Sequence, residues 1–567
     1  MLPASSSALR RSLTTDLLLL TLVIGGVYLL LLGQRPLSVP SEARYAEIPR
    51  EMLATGDWLT PRLNGVKYFE KPPLVYWLVA FAEAAFGRSE FVVRLWTAAF
   101  GVGGCLLVYI AAARLWTPRA GRLSAAAMAT SLLYFELSRQ TLLDMPVTFF
   151  LTAAFTAFLL GIREDPDSRA RSRAMYLMYA AAAAAAMAKG LIGIVLPGLV
   201  VFFWLALTGR WSELRHVRLP TGTLLFLAIA APWHVAVGLE NPEFFWFYFI
   251  HEHVLRFATP ESGRSQPLWF FIPILIAGWL PWCVFLPQAL TAAAQTWWRD
   301  RSNRAAELFV LLWFVLPFLF FSLSHSKLIP YALPFFPPLA LLLGIWLDRA
   351  LGTMQSVTWP FLGLAGLLAA LAAAAVWFQA APGAFIPAAH VAEAAPVMAF
   401  LPGLIAGFVI VGLVIAWAAL RRTVTVAAAV TLVAAVAFGL VVDRIVGETQ
   451  PRSTKAFAAA IEPRLKPGDE VASLYAYYQD LPFYLNRRVT VADWRGGELD
   501  FGRSVEDTSA WMIDSGEFWQ RWQRPGHGMY AVLPLPRYEG LSAERRQQML
   551  ELARTPTDVL VANRPSD

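Results

Sequence analysis

Several short stretches of this 567-residue chain set charged and hydroxyl side chains together between long apolar runs. The first, VPSEARYAEIPREML (39–53), carries Glu42, Arg44, Tyr45, Glu47, Arg50 and Glu51, and VKYFEKPP adds Lys67, Tyr68, Glu70 and Lys71. Further on come Arg139 and Asp144 in RQTLLDMP, and Lys189 in MAKG. Then follow His251, Glu252, His253 and Arg256 in HEHVLR, with Arg264 beyond, and His325, Lys327 and Tyr331 in SHSKLIPY. Arginine forks, lysine point charges and hydroxyl donors suit an anionic group such as a lipid phosphate. The chain has no zinc motif of standard ligand spacing and no phosphate-cradling G-x-x-x-x-G-K-[ST] loop.

The elements that must position these residues are membrane spans. The chain is 57% hydrophobic and 15% charged, with mean hydropathy +0.51, where a soluble protein carries roughly a quarter charged residues. The net charge of +7 is spread over loops, which points to membrane topology and phosphate contact and not to nucleic acid. Cys105 and Cys283 both sit in apolar runs, so a disulfide framework is not expected. The start has a basic stretch and then an apolar run to Gly33, with no small-residue cleavage pattern. It reads as a retained first helix and not as a cleaved signal peptide. Apolar runs place spans at 13–33, 91–112, 119–137, 142–162, 173–188, 190–208, 220–238, 268–290, 305–323, 328–347, 358–380, 397–419 and 423–442.

With the N-terminus inside, cytoplasmic loops hold Arg10, Arg11, Arg114, Arg119, Arg122, Arg163, Arg169, Arg171, Arg173, Arg210, Arg215, Arg218, Arg299, Arg301, Arg304, Arg421 and Arg422. That is the positive-inside pattern, and an odd number of spans puts the C-terminus outside. Lys67, Lys71, Lys189, Lys327, Lys455 and Lys466, all the lysines of the chain, then fall on the outer side. Two outer loops are long, 34–90 and 239–267; the first ends in aromatic-rich, interfacial composition and the second contains NPEFFWFYFIHEHVLRF, of the same composition. After residue 443 the apolar runs stop. TKAFAAAIEPRL, EVASLYAY, RRVTVA, GEFWQRWQ, MYAVLPLP, SAERRQQMLELAR and DVLVAN alternate helix-like and strand-like character, as in a small α/β domain. The expected division is a membrane domain over 1–443 and a soluble domain over 444–567.

Each polar residue also has a purely structural reading. Arg44, Glu47, Arg50 and Glu51 suit a solvated helix face with i,i+3 pairs. Lys71, before two prolines, suits an interfacial anchor, and Lys189 and Lys327 suit snorkelling to head groups. Asp144 suits a helix start, and His251 and His253 suit interfacial hydrogen bonding. Charges near a bilayer are costly, however, and both signs gathered at one face favour a polar site at its rim.

SEARYAEIPREMLATGDW, YFEKPPLVYW, LLDMP, MAKG, HEHVLRF and KLIPYALP, in this order along the chain, resemble the bacterial lipid A aminoarabinose transferases. These are polyprenyl-phosphate-dependent membrane glycosyltransferases related to the protein O-mannosyltransferases. The resemblance implies a polytopic α-helical membrane fold of GT-C type with about thirteen transmembrane helices, periplasmic juxtamembrane helices and a C-terminal soluble α/β domain. It implies an inner-membrane enzyme, expected as a monomer, with its active site and C-terminal domain in the periplasm. The implied reaction moves a sugar, 4-amino-4-deoxy-L-arabinose in that family, from undecaprenyl phosphate to a lipid A phosphate with inversion. Lys71, Arg256 and Tyr331 match positions that hold the donor's phosphate. Asp144 matches an acidic residue of the active-site region; Arg44, Tyr45, Tyr68, Arg139, Lys189 and Lys327 match cavity-lining positions. Glu70, His251 and His253 lie where a structural metal, zinc, is associated with the family; no other cofactor is implied.

One position departs from the pattern. Where the family has Asp followed by Glu, this chain has Ser41-Glu42. In relatives that glycosylate hydroxyls that Asp is the expected general base, and a serine cannot take its place near neutral pH. Ser41 keeps one option open to Asp, capping a helix that starts at Glu42. Two explanations follow. An acceptor phosphate, with a second pKa near 6, is already an anionic nucleophile and needs no base; alternatively Glu42 or Asp144 serves as base for a hydroxyl acceptor on protein or glycan. A lipid transporter is the reading from another class. Transporters place polar groups at the midplane on broken helices, often with inverted repeats, whereas the charges here cluster at one face.

Overall fold

The computed structural model describes residues 6–259, 264–299, 305–351, 355–386, 394–449 and 452–563. The loop residues Arg301 and Arg304 lie outside these, as do 260–263 and 564–567. The chain divides into two compact units, one of residues 1–31 and 96–449, the other of 32–95 and 450–567.

The first unit is helical. Among the described residues eight helices are long and apolar enough to cross a membrane, or nine counting a pair bent by 110°. The expectation of about thirteen is therefore not established by length and composition. Two expected single spans are broken. Residues 119–137 form two helices, Pro118–Ala129 and Leu132–Ser138, parted at Thr130 and Ser131. Residues 268–290 bend between Leu268–Gly278 and Trp282–Trp298, where Pro281 removes a helix donor. Helix ends follow local chemistry: Thr117 Oγ1 accepts from Ala120 N at 2.9 Å, and Ser168 Oγ accepts from Arg171 N at 3.1 Å. Gly344 lets its helix close on another, since a methyl there would lie 2.0 Å from Ser124 Oγ.

The second unit joins the first long loop to the C-terminal region. Helix Ser41–Thr55 is followed by a hairpin of β1 (Arg62–Leu63) and β2 (Val66–Lys67), then helix Leu74–Phe86. A six-stranded sheet holds β3 (Glu470–Leu474), β4 (Thr490–Ala492), β5 (Met512–Ile513), β6 (Met529–Pro534), β7 (Leu550–Arg554) and β8 (Asp558–Ala562). Their order is β5-β4-β3-β6-β8-β7, with β5, β4, β3 and β6 parallel and β8 and β7 antiparallel. The central strands are buried runs rather than alternating ones, as a sheet covered on both faces requires. One apolar core runs from Ile48, Met52, Leu63 and Tyr76 into Phe457, Val471, Leu481 and Leu560. SAERRQQMLELAR, expected as one element, splits into a helical turn Ala543–Gln547 and strand β7. The sheet edge open beside β8 draws its second half into extended pairing.

Candidate active site

In the first unit, helix polarity sets up an ion pair. Lys189 is the last residue of helix Arg169–Lys189, and Asp144 is the first of helix Asp144–Gly161. Those helix ends favour a cation and an anion respectively. Lys189 Nζ donates to Asp144 Oδ1, with both side chains 11% exposed. The same Nζ lies 4.4 Å from the centre of the Tyr331 ring, a cation–π contact. Asp144, Lys189 and Tyr331 thus form one group from three segments. Asp144 begins its helix but is not its N-cap, which is Leu143, and Lys189 is held in this group, not reaching outward.

The backbone after Lys189 turns through Gly190, at φ +109°, where a Cβ would lie 2.2 Å from His253 Nε2. Only glycine fits both demands. His253 Nε2 accepts from Leu191 N at 3.4 Å, and its Nδ1 donates to the Tyr248 carbonyl at 2.6 Å. His253 belongs to a π-helical segment, Trp246–Leu255, a winding frequent at functional sites. Glu252 on that segment pairs with Arg256 at 2.5 Å, and His251 Nδ1 lies 3.4 Å from the other Glu252 oxygen. This loop is laced to the SHSKLIPY turn. His325 N donates to Phe257 O, Lys327 N to Arg264 O, both at 3.2 Å, and Ser265 bridges Ser326. Lys327, buried, donates from Nζ to Gln266 O at 2.8 Å and Ser324 O at 2.5 Å. It clamps two backbone segments rather than snorkelling. Arg139 is similarly committed: Nη1 donates to Tyr28 O at 2.8 Å and Nη2 to Asp443 Oδ2 at 2.9 Å.

In the second unit, helix Ser41–Thr55 is buried over most of its length, so its charges are not a solvated face. Arg44 reaches Glu498 at 3.2 Å and the Tyr68 hydroxyl at 3.4 Å, and lies near the faces of Tyr45 and Tyr68. The carboxylates of Glu498 and Glu70 and the Tyr68 ring hold the Arg44 guanidinium firmly charged against the cost of burial. Burial pushes the Tyr68 hydroxyl well above its usual range, which keeps it neutral while it accepts from Arg44. Tyr45 stacks on Tyr76 at 6.0 Å. Lys71, half-buried, donates to the Glu70 carbonyl at 2.6 Å. Glu47 and Arg50 do form an i,i+3 pair at 2.6 Å, but a buried one. Burial of the Glu47 carboxyl raises its pKa more strongly than Arg50 lowers it.

Two expectations at the head of this helix change. Ser41 is the first helical residue and is exposed; Pro40 is the N-cap, with no side-chain cap bond. Glu42 is 1% exposed and clamped by Arg94 at 2.7 and 2.8 Å, while it also accepts from Ser38 N at 3.0 Å. A carboxylate locked this way ties down the chain and is not placed to take a proton.

For a metal, among the described residues no group of three or more His, Cys, Asp or Glu side chains is placed to hold an ion. His253 spends both ring nitrogens on backbone, and His251 stacks on Phe247 at 4.9 Å. The Glu70, His251 and His253 set therefore does not fit a metal centre in this geometry, and no step is routed through one. The residues missed from sequence are Arg94 and Glu498; Glu252 was picked out with its loop, but not its pairing with Arg256. Arg94 carried a signal, a charge inside an apolar run that must find a partner. Glu498 carried none.

A family model for dolichyl-phosphate-mannose-protein mannosyltransferases matches residues 35–249, and one for the aminoarabinose transferase C-terminal domain matches 457–563. The undecaprenyl phosphate-alpha-4-amino-4-deoxy-L-arabinose arabinosyl transferase of Erwinia tasmaniensis is 32% identical over 89% of this chain and 90% of its own. The chain belongs to this transferase family. The transferase of the same name from Edwardsiella ictaluri is 31% identical over 90% of this chain and 92% of its own. The crystal structure of ArnT from Cupriavidus metallidurans bound to undecaprenyl phosphate superimposes with a TM-score of 0.84 at 32% identity. That match covers 98% of this chain and 99% of the other. The family expectation drawn from the motifs is thus met along nearly the whole length. The protein is a multi-span membrane glycosyltransferase with a C-terminal sheet-containing domain.

Proposed function

We propose that this enzyme transfers 4-amino-4-deoxy-L-arabinose from undecaprenyl phosphate to a phosphate of lipid A, at the periplasmic face of the inner membrane. The observation that carries the reading is the cation set of the first unit, Lys189 held between Asp144 and Tyr331, and Arg256 directly after the adjoining π-helical segment. As the sugar–phosphate bond breaks, negative charge grows on the phosphate oxygen. Arg256 and the Tyr331 hydroxyl stabilise it there. Lys189 holds Asp144 oriented beside the Tyr331 ring.

The acceptor follows from what the carboxylates are doing. Position 41 is serine, Glu42 is locked by Arg94, and Asp144 is tied to Lys189. A hydroxyl acceptor would need a free base; a phosphate acceptor, ionised near neutral pH, would not. The test is mass spectrometry of lipid A from cells that make the aminoarabinose donor, with and without this protein. A pentosamine on a lipid A phosphate is the expected result. Unmodified lipid A with protein and donor both confirmed would overturn the acceptor assignment.

A further inference from the structure

The donor and the spent carrier differ in charge, and this bears on Arg256. In the reaction proposed above, the bond from the sugar's anomeric carbon to the donor phosphate oxygen breaks, and its electron pair stays on that oxygen. The sugar carbon bonds an oxygen of the acceptor phosphate. The donor enters as a phosphodiester with one negative charge. The carrier left behind is a monoester, with a charge of about −1.5 to −2 near neutral pH. A cation that helps the bond break therefore holds the product more tightly than the substrate. Unopposed, such a cation would trap undecaprenyl phosphate and slow every later turnover.

Arg256 is not unopposed. Its Nη1 meets Glu252 Oε2 at 2.5 Å, with the Glu252 side chain 5% exposed and that of Arg256 17% exposed. Glu252 is itself held by its π-helical backbone, and the pairing with Arg256 lies one helical turn along the chain. A charge-assisted bond between two largely buried groups is strong enough to compete with a phosphate oxygen for the same guanidinium.

We propose that Glu252 is a positioning residue that trades places with the carrier phosphate on Arg256, so that the product is displaced after transfer. The inference rests on the donor-phosphate role of Arg256 given above. Glu252 touches neither sugar nor phosphate; it sets how firmly Arg256 grips them. Removing its charge strengthens the grip on the more charged ligand most. Carrier release then becomes the slow step, and kcat and KM fall together.

The experiment measures binding of undecaprenyl phosphate to the purified full-length protein in detergent, with steady-state kinetics, for wild type, Arg256→Ala, Glu252→Gln and Glu252→Asp. The expected result is loss of carrier binding in Arg256→Ala and at least fivefold tighter binding in Glu252→Gln. Glu252→Gln should also show lower kcat, lower KM and stronger inhibition by added carrier. Arg256→Ala binding like wild type would overturn the role of Arg256 and this inference with it. Arg256→Ala failing to bind while Glu252→Gln binds no tighter than wild type would overturn the inference alone. Should Glu252→Gln fail to fold, Glu252→Asp decides. Its shorter carboxylate reaches Arg256 less well, so binding tighter than wild type supports the exchange and equal or weaker binding overturns it.

Discussion

Arg94 closes on Glu42 with two parallel hydrogen bonds of 2.7 and 2.8 Å, at 0% and 1% side-chain exposure. Arg94 also donates to the carbonyls of Leu32, Arg35 and Pro36. The pair therefore fixes the entry of the first long loop. Arg94→Ala leaves a buried carboxylate without its partner, a change that costs roughly 3–5 kcal/mol. Unfolding of the purified protein should show that loss. Glu42→Gln should lower stability more than it lowers kcat per folded molecule; the reverse would make Glu42 a participant in the chemistry.

Ser41→Ala should retain nearly full activity. The residue is exposed and caps nothing, and such surface substitutions stay within about 0.5 kcal/mol. Turnover of the donor in membranes checks this, and a large drop would give the hydroxyl a direct role.

Asp144 and Lys189 should behave as one unit. Asp144→Asn and Lys189→Met are each expected to cut turnover by about tenfold or more, because each leaves the other charge unpaired. The double variant should lose little more than either single one, and a double-mutant cycle on kcat measures that coupling. Additive losses would mean two independent roles.

Gly190→Ala should abolish activity and lower the melting temperature, since φ +109° and the 2.2 Å approach to His253 both exclude a methyl. Gly198→Ala, in helix Ile192–Thr208 with nothing within 4 Å of the new methyl, is the control. It should stabilise by up to about 1 kcal/mol.

Glu83 supplies a pH dependence. Burial pushes its carboxyl from 4.5 up to about 7, against the pull of Arg88 and Arg50. The folded unit therefore keeps a proton that the unfolded chain gives up near the ordinary value. Stability contributed by the protonated form is present below that value and is lost as pH rises toward 7. Melting temperature should fall between pH 5 and 8 in wild type and fall less in Glu83→Gln. Equal slopes would refute the assignment.

The spans were legible because hydropathy is a property of one segment at a time, as helix Ala395–Leu420 illustrates. Breaks were not, because Thr130-Ser131 interrupts a helix without interrupting the apolarity around it. Pro281 announced its bend more openly. At the site, Lys189 and Asp144 could be named from their loops, but their pairing needed two helices to meet end to end. Ser41 read as a cap, yet Pro40 occupies that position and Ser41 begins the helix itself. The strand over 550–554 reads as helix by propensity and is extended because β8 offers it an edge. Glu498 could not be found at all, since nothing local marks a carboxylate whose partner lies so far back in the chain.

Asn64 in the first loop donates to Val489 O at 3.0 Å and accepts from Val489 N at 3.1 Å, across 425 residues of sequence. Trp511 Nε1 donates to the Asn64 carbonyl, and Glu506 receives Arg62, at 2.9 Å each. At 5–20 residues per second, a ribosome needs about 20 to 85 s to travel from one half of that pairing to the other. Throughout that interval the first loop lacks the Glu498 partner of Arg44, the Glu506 partner of Arg62 and the Val489 partner of Asn64. Biogenesis of this enzyme is thus closed by its last-made segment, and a nascent chain cut short before residue 489 leaves the first loop permanently unfinished.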